Sequence, residues 1–303
     1  MNHHYPCRVK FTTRRAFLRK TGELMLGGST TLAFGSVLAA CGRRGTSAGL
    51  PDDVQIVQRF PQNLVVGKVR IPVSLASKGG LLTVDGGVAT PSELSARIVR
   101  IHGGGDDVVL EDLLAPKHDA GMATPYWPFR ATITEPGFYR LVLDGGPEDG
   151  AAFQVFARGE VAVPGIGDPL PPFDTPTFTD AREVSPICTR QPDPCPMHEV
   201  TLREALALGK PVAFLVGTPA HCATGTCAPA LEAMISARES ARGSTTFIHA
   251  EVYADQDATR IAPAVNAMSM NFEPALFITD SGGVVVERLD AVFDAVEVQS
   301  LIS

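Results

Sequence analysis

The sequence predicts an α+β chain of two domains, an N-terminal antiparallel β-sandwich followed by a C-terminal α/β domain. Three observations predict it. The first half alternates polar and apolar residues between frequent glycine pairs, the pattern of short strands and turns. The C-terminal third alternates short apolar runs with segments of helical spacing. Between them Pro164, Pro169, Pro171, Pro172 and Pro176 stand among Gly and Asp, which reads as a stiff, extended linker. A length of 303 residues fits two domains. A chain that is 45% hydrophobic and 19% charged is globular in makeup, and its net charge of −7 excludes a general nucleic-acid binder.

Residues 1–40 read as an export address. Arg14 and Arg15 precede Phe17 and Leu18, and a mildly apolar segment runs on to Ala40. A basic start, an apolar middle and a small-residue end make a signal peptide. The twin arginine resembles the Tat signature, and Leu38-Ala39-Ala40-Cys41 resembles a lipoprotein box, which implies a lipid on Cys41 and a membrane tether. An uncleaved membrane helix is the alternative, but Gly27, Gly28, Ser29, Thr30 and Thr31 dilute the span. Removing the signal leaves 20 basic and 32 acidic side chains, a net charge of −12. Anionic lipid would not attract such a chain, so the lipid itself would hold it. Residues 41–53 read as a flexible tether.

The sandwich is expected over 54–163. Strands are expected at Lys68 to Leu75, Leu94 to Ile101, Arg130 to Ile133, Phe138 to Leu143 and Ala151 to Ala157, with turns at the Gly-Gly pairs. Glu135-Pro136-Gly137-Phe138-Tyr139 resembles the tyrosine corner of immunoglobulin-like domains, which implies a Tyr139 hydroxyl bonded back to the turn. Trp127 is read as core packing. The linker spans 164–187, and the last domain 188–303.

In that domain Thr201 and Glu204 form a capping-box pattern opening a short helix. Pro211 to Val216 reads as a buried strand, Ala228 to Ala241 as a helix, Thr245 to Val252 as a strand and Arg260 to Met268 as a helix. Pro274 to Thr279 and Gly283 to Arg288 read as paired strands, and Ala291 to Ile302 as the last helix. This order suggests a mixed sheet with helices on both faces.

Four cysteines follow Cys41, in two close pairs, Cys188 with Cys195 and Cys222 with Cys227. In an exported chain this reads as two disulfides. A four-cysteine zinc site is the alternative, less suited by intervening stretches of six and four residues. The six residues between Cys188 and Cys195 include two prolines, so that pair reads as a structural staple, with His198 beside it as a surface or hydrogen-bonding residue. Cys222 and Cys227 are too far apart for both to lie on one regular helix and still pair. With Gly225 allowing a turn, Cys222 is expected on a loop and Cys227 at the helix start, with Pro229 in the first turn. The helix dipole then favours a thiolate at Cys227.

The strand Lys210 to Val216, the loop Thr218 to Pro229 and the segment Phe272 to Ile278 together resemble the thioredoxin-like superfamily. Cys188 to His198 is similar to a segment of secreted bacterial lipoproteins that carry such a domain behind a β-sandwich. The resemblance implies a thiol-disulfide oxidoreductase whose catalytic residues are Cys222, Cys227 and Pro274, acting on protein thiols and disulfides; Glu273 beside Pro274 departs from the family, which usually has an uncharged residue there, and is a candidate either to shuttle a proton or to raise the thiol pKa. The resemblance also implies that Cys222 attacks and that Pro274 is the family's cis-proline. Four residues rather than two separate the cysteines, and the first strand lacks the family's buried acid. Two other classes stay open. In one, the chain is a binding lipoprotein whose Cys222–Cys227 pair is a staple. In the other it is a Sco-type copper chaperone, although no His follows His249. There is no Gly-rich phosphate loop and no haem-attachment pattern, so no cofactor is expected and no metal is assigned.

Overall fold

A computed structural model describes residue 50 and residues 53–103 and 105–302. The expected signal peptide, the lipidation site Cys41 and most of the tether lie outside the described residues. Among the described residues, no helix is long and apolar enough to cross a membrane.

Among the described residues, the first half contains only strands, β1 (Gln55–Gln58), β2 (Leu64–Val65), β3 (Gly67–Ser77), β4 (Gly80–Leu81), β5 (Glu93–His102), β6 (Gly105–Pro116), β7 (Trp127–Ile133), β8 (Gly137–Leu143) and β9 (Ala151–Phe156). In one sheet β1, β4 and β7 pair with β3; the other runs β2-β9-β8-β5-β6. Their inner faces close on one core, with Ile71, Val73 and Phe129 from the first sheet against Leu94, Ile98, Leu141 and Phe153 from the second. Trp127 is fully buried there, and its indole N–H donates to the Pro91 carbonyl at 3.2 Å. The Tyr139 hydroxyl donates to the Glu135 carbonyl at 2.7 Å, closing the turn that precedes β8. The twelve-residue β6 was not expected. It carries Asp106, Asp107, Glu111 and Asp112 and is largely exposed, so it lacks the alternation that marks a half-buried strand.

The second half holds α1 (Leu202–Ala207), β10 (Val212–Val216), α2 (Cys227–Ala241), β11 (Thr246–Ala250), α3 (Pro263–Ala267), β12 (Ala275–Thr279), β13 (Val285–Asp290) and α4 (Ala295–Ile302). The strands lie in the order β11-β10-β12-β13. β10 and β11 are parallel, while β12 is antiparallel to both β10 and β13. β10 is buried on both faces, and its alternate side chains separate two cores. Val212, Phe214 and Val216 pack with α1 and α3, whereas Ala213 and Leu215 pack with α2 and α4. Helices therefore cover both faces, as the alternation predicts. The capping box is present at α1, where the Thr201 hydroxyl accepts from the Glu204 N–H and the Glu204 carboxylate accepts from the Thr201 N–H. α3 is shorter than the expected helix and has Pro263 in its first turn.

The proline-rich stretch is pinned rather than free. The Gly167 N–H donates to the Val285 carbonyl at 2.8 Å, the Val285 N–H to Asp168 at 2.9 Å and the Leu170 N–H to Gly283 at 2.9 Å. Leu170, Thr175, Thr177 and Val184 are buried. The two halves also meet directly. Arg70 and Arg130 from the strands, together with the Tyr126 hydroxyl, converge on Glu297 of α4.

Candidate functional site

β10 ends at Val216, and the chain turns through Gly217 and Thr218 into the loop that carries Cys222. Gly225 has φ +68°, a left-handed conformation that glycine adopts without strain, and its N–H donates to the Cys222 carbonyl at 3.0 Å. This turn brings Cys222 back over the start of α2, whose first residue is Cys227. Cys222 is partly exposed and Cys227 buried. Both are free thiols, with their sulfurs and a Glu273 carboxylate oxygen within 4.8 Å of one another.

The two sulfurs have opposite electrostatics. The neighbouring Cys227 thiol is the main cause that holds Cys222 down, to about 4. Burial opposes it, and the Thr224 hydroxyl and the backbone amides of Cys227 and Thr226 add to it. The Thr224 Oγ1 lies 3.2 Å from the Cys222 sulfur. Cys227 is pushed well up by the same contact, by burial and by the charge of Glu273. The surroundings thus favour a thiolate at Cys222, against the helix dipole, which by itself favours Cys227. Cys227 stands at the helix start but faces a carboxylate in a buried setting, whereas Cys222 collects the donors at the helix end from outside.

Glu273 precedes Pro274 across a cis peptide bond at the head of β12. Its Oε2 accepts from the Cys227 thiol at 3.3 Å and from the Thr218 N–H at 2.9 Å. Burial raises its pKa, against the pull of those two donors. Pro274 is buried beside Gly217, where an added Cβ would stand 3.2 Å from the Pro274 Cβ and 3.5 Å from the Cys227 sulfur. The structure thus brings all four expected catalytic residues to one place. The His221 ring stands edge-on to Tyr253, with ring centroids 6.0 Å apart.

Cys188 and Cys195 are buried thiols in the structure rather than the expected disulfide, which would be the oxidised form of the same pair. His198 is buried as well, not on the surface. It is joined by His249 of β11, so that the two sulfurs and two imidazole nitrogens lie within 4.8 Å of one another. The hydrogen bond from Cys195 is the main cause that holds Cys188 down, while that contact and burial push Cys195 up. Sequence reasoning missed this grouping and also Glu251, a buried carboxylate whose Oε1 accepts from the Thr189 N–H at 2.6 Å and the Thr189 hydroxyl at 3.0 Å. Two cysteines with a His three residues after the second were the available signal; His249 lies 51 residues further on.

No protein-family model matches the chain, and no curated protein matches it.

Proposed function

We propose that the chain is a thiol-disulfide oxidoreductase that works through Cys222 and Cys227. One observation carries this reading. A partly exposed Cys222, with the Thr224 Oγ1 3.2 Å from its sulfur, stands beside a buried Cys227 thiol that donates to the Glu273 carboxylate at 3.3 Å. In the proposed reaction the Cys222 thiolate attacks one sulfur of a substrate disulfide. The substrate S–S bond breaks, its second sulfur leaves as a thiolate, and a mixed disulfide forms. Glu273 takes the Cys227 proton as the Cys227 sulfur attacks Cys222. The mixed disulfide breaks, the substrate leaves as a dithiol after taking up that proton and one from solvent, and the protein holds a Cys222–Cys227 disulfide. A dithiol reductant restores the pair.

The reading extends to the fold and the address. A thioredoxin-like domain is supported by the strand order β11-β10-β12-β13, helices on both faces, a cysteine at the start of α2 and Pro274 beside it. An immunoglobulin-like first domain is supported by two packed sheets and the Tyr139 hydrogen bond. Export by the Tat-like signal and lipid on Cys41 would set the enzyme on the outer face of a membrane, where protein disulfides are the substrates at hand. Copper delivery draws on the same grouping of Cys222, Cys227 and Glu273. Its third ligand is a carboxylate, however, and soft copper(I) prefers sulfur or imidazole.

The test is a redox titration of the full chain, trapping free thiols and locating them by mass spectrometry. A Cys222–Cys227 midpoint between about −120 and −270 mV lies in the range of exchange catalysts. A pair that stays oxidised below about −300 mV is a staple, and the oxidoreductase reading fails.

A further inference from the structure

We infer that Cys188, Cys195, His198 and His249 form a closed tetrahedral site for one zinc ion. The inference is independent of the oxidoreductase reading, because none of these four residues belongs to the Cys222–Cys227 pair. All four residues are buried, and their ligand atoms lie within 4.8 Å of one another. Two thiolates and two imidazoles are a ligand set of closed, structural zinc sites. The two thiolates also cancel the charge of a dication, so the buried centre is neutral overall.

The spacings match the geometry. In a tetrahedron the edge is about 1.6 times the centre-to-vertex length, so Zn–N bonds near 2.0–2.1 Å set two nitrogens about 3.3–3.4 Å apart. With a Zn–S bond near 2.3 Å, a sulfur and a nitrogen stand about 3.5–3.6 Å apart. His249 Nδ1 and His198 Nε2 are 3.3 Å apart, and Cys195 Sγ and His249 Nδ1 are 3.5 Å apart. His249 Nε2 lies 2.9 Å from the Gly217 carbonyl and must donate to it. That fixes the tautomer, and Nδ1 keeps a lone pair aimed into the cluster, the usual outer hydrogen bond of a metal-bound histidine. His198 presents Nε2 to the cluster.

Such an ion would fasten the 188–198 segment to β11 and, through it, brace the neighbouring loop. Thr189, next to Cys188, accepts from the Ala220 N–H at 3.1 Å, and His249 grips Gly217 where the chain leaves β10.

The test is metal analysis of the full chain, purified without chelator, reduced and dialysed against zinc. The expected result is one zinc per chain, unchanged in the Cys222→Ser/Cys227→Ser variant and lost at least tenfold in Cys195→Ser and in His249→Gln. X-ray absorption at the zinc edge of the parent chain needs no variant to fold, and should show two sulfur and two nitrogen neighbours. The inference is overturned by a reduced chain that takes up no zinc. It is also overturned by zinc that is lost with Cys222 and Cys227 but retained in Cys188→Ser/Cys195→Ser.

Discussion

Arg70 on β3 and Glu297 on α4, 227 positions apart, form a buried two-pronged ion pair, with Nε to Oε1 at 2.8 Å and Nη2 to Oε2 at 2.6 Å. Arg130 and the Tyr126 hydroxyl donate to the same carboxylate at 2.9 and 2.8 Å. Arg70 Nη2 also donates to the Val292 carbonyl at 2.6 Å. With four donors on one carboxylate, the desolvated charges are paired and hydrogen-bonded. Removing one partner leaves the other buried and uncompensated, at a cost of about 3–5 kcal/mol. Glu297→Gln should lower the urea midpoint accordingly. Replacing both residues by apolar ones of similar volume should cost much less.

Acid should undo the same contact. Burial pushes the Glu297 carboxyl up, but Arg70, Arg130 and Tyr126 outweigh it and hold it at about 2. A depressed folded pKa contributes stability that is complete above the ordinary carboxylate value near 4.5 and is lost as pH falls toward 2. Unfolding free energy measured between pH 6 and pH 2 should therefore drop across that window. In Glu297→Gln this part of the drop should vanish.

Cys222 should react with iodoacetamide at a rate that is flat above about pH 5 and falls as pH drops through about 4. Cys227 should stay unlabelled in the folded chain. Thr224→Val removes a hydroxyl donor to the thiolate, and a charge-assisted hydrogen bond is worth about one to two pH units. The labelling profile should move up by that amount. An unmoved profile would show that the backbone amides suffice.

Glu273→Gln removes the group that accepts the Cys227 proton. Resolution should slow by about a hundredfold, while the first attack by Cys222 is spared. The observable is a mixed disulfide on Cys222 that accumulates and can be trapped by acid quench and mass spectrometry. Equal amounts of mixed disulfide in parent and variant would remove Glu273 from the reaction.

Tyr139→Phe tests the turn before β8. The lost bond to the Glu135 carbonyl should cost about 0.5–1.5 kcal/mol, read as a thermal shift with no change in thiol reactivity.

Local patterns were legible in the sequence, and long-range meetings were not. The alternation over Lys68 to Leu75 gives β3, and Thr201 with Glu204 gives the start of α1, because each signal lies within a few residues of what it specifies. The loop position of Cys222 and the helix-start position of Cys227 follow from their spacing and Gly225. β6 escaped notice because four acidic residues and two largely exposed faces remove its periodicity. His249 joins Cys188, Cys195 and His198 only through the register that pairs it with Leu215 on β10. Glu251 and Glu297 read as ordinary surface acids until burial and partners are known.

The bonds from Gly167, Asp168 and Leu170 to β13 have a consequence for solubility. β13 is the last strand of its sheet, and its N-terminal end would otherwise offer unpaired backbone groups to any passing strand. The proline-containing segment occupies that end, with Pro169 bridged to Val284, and a proline cannot extend the ladder to a further strand. Beyond it Glu287 accepts from Arg130 at 2.8 Å and Arg288 donates to Asn63 at 2.8 Å, so residues of the first half cover that stretch of the edge. The joint between the two halves thus also guards a sheet margin against edge-to-edge aggregation.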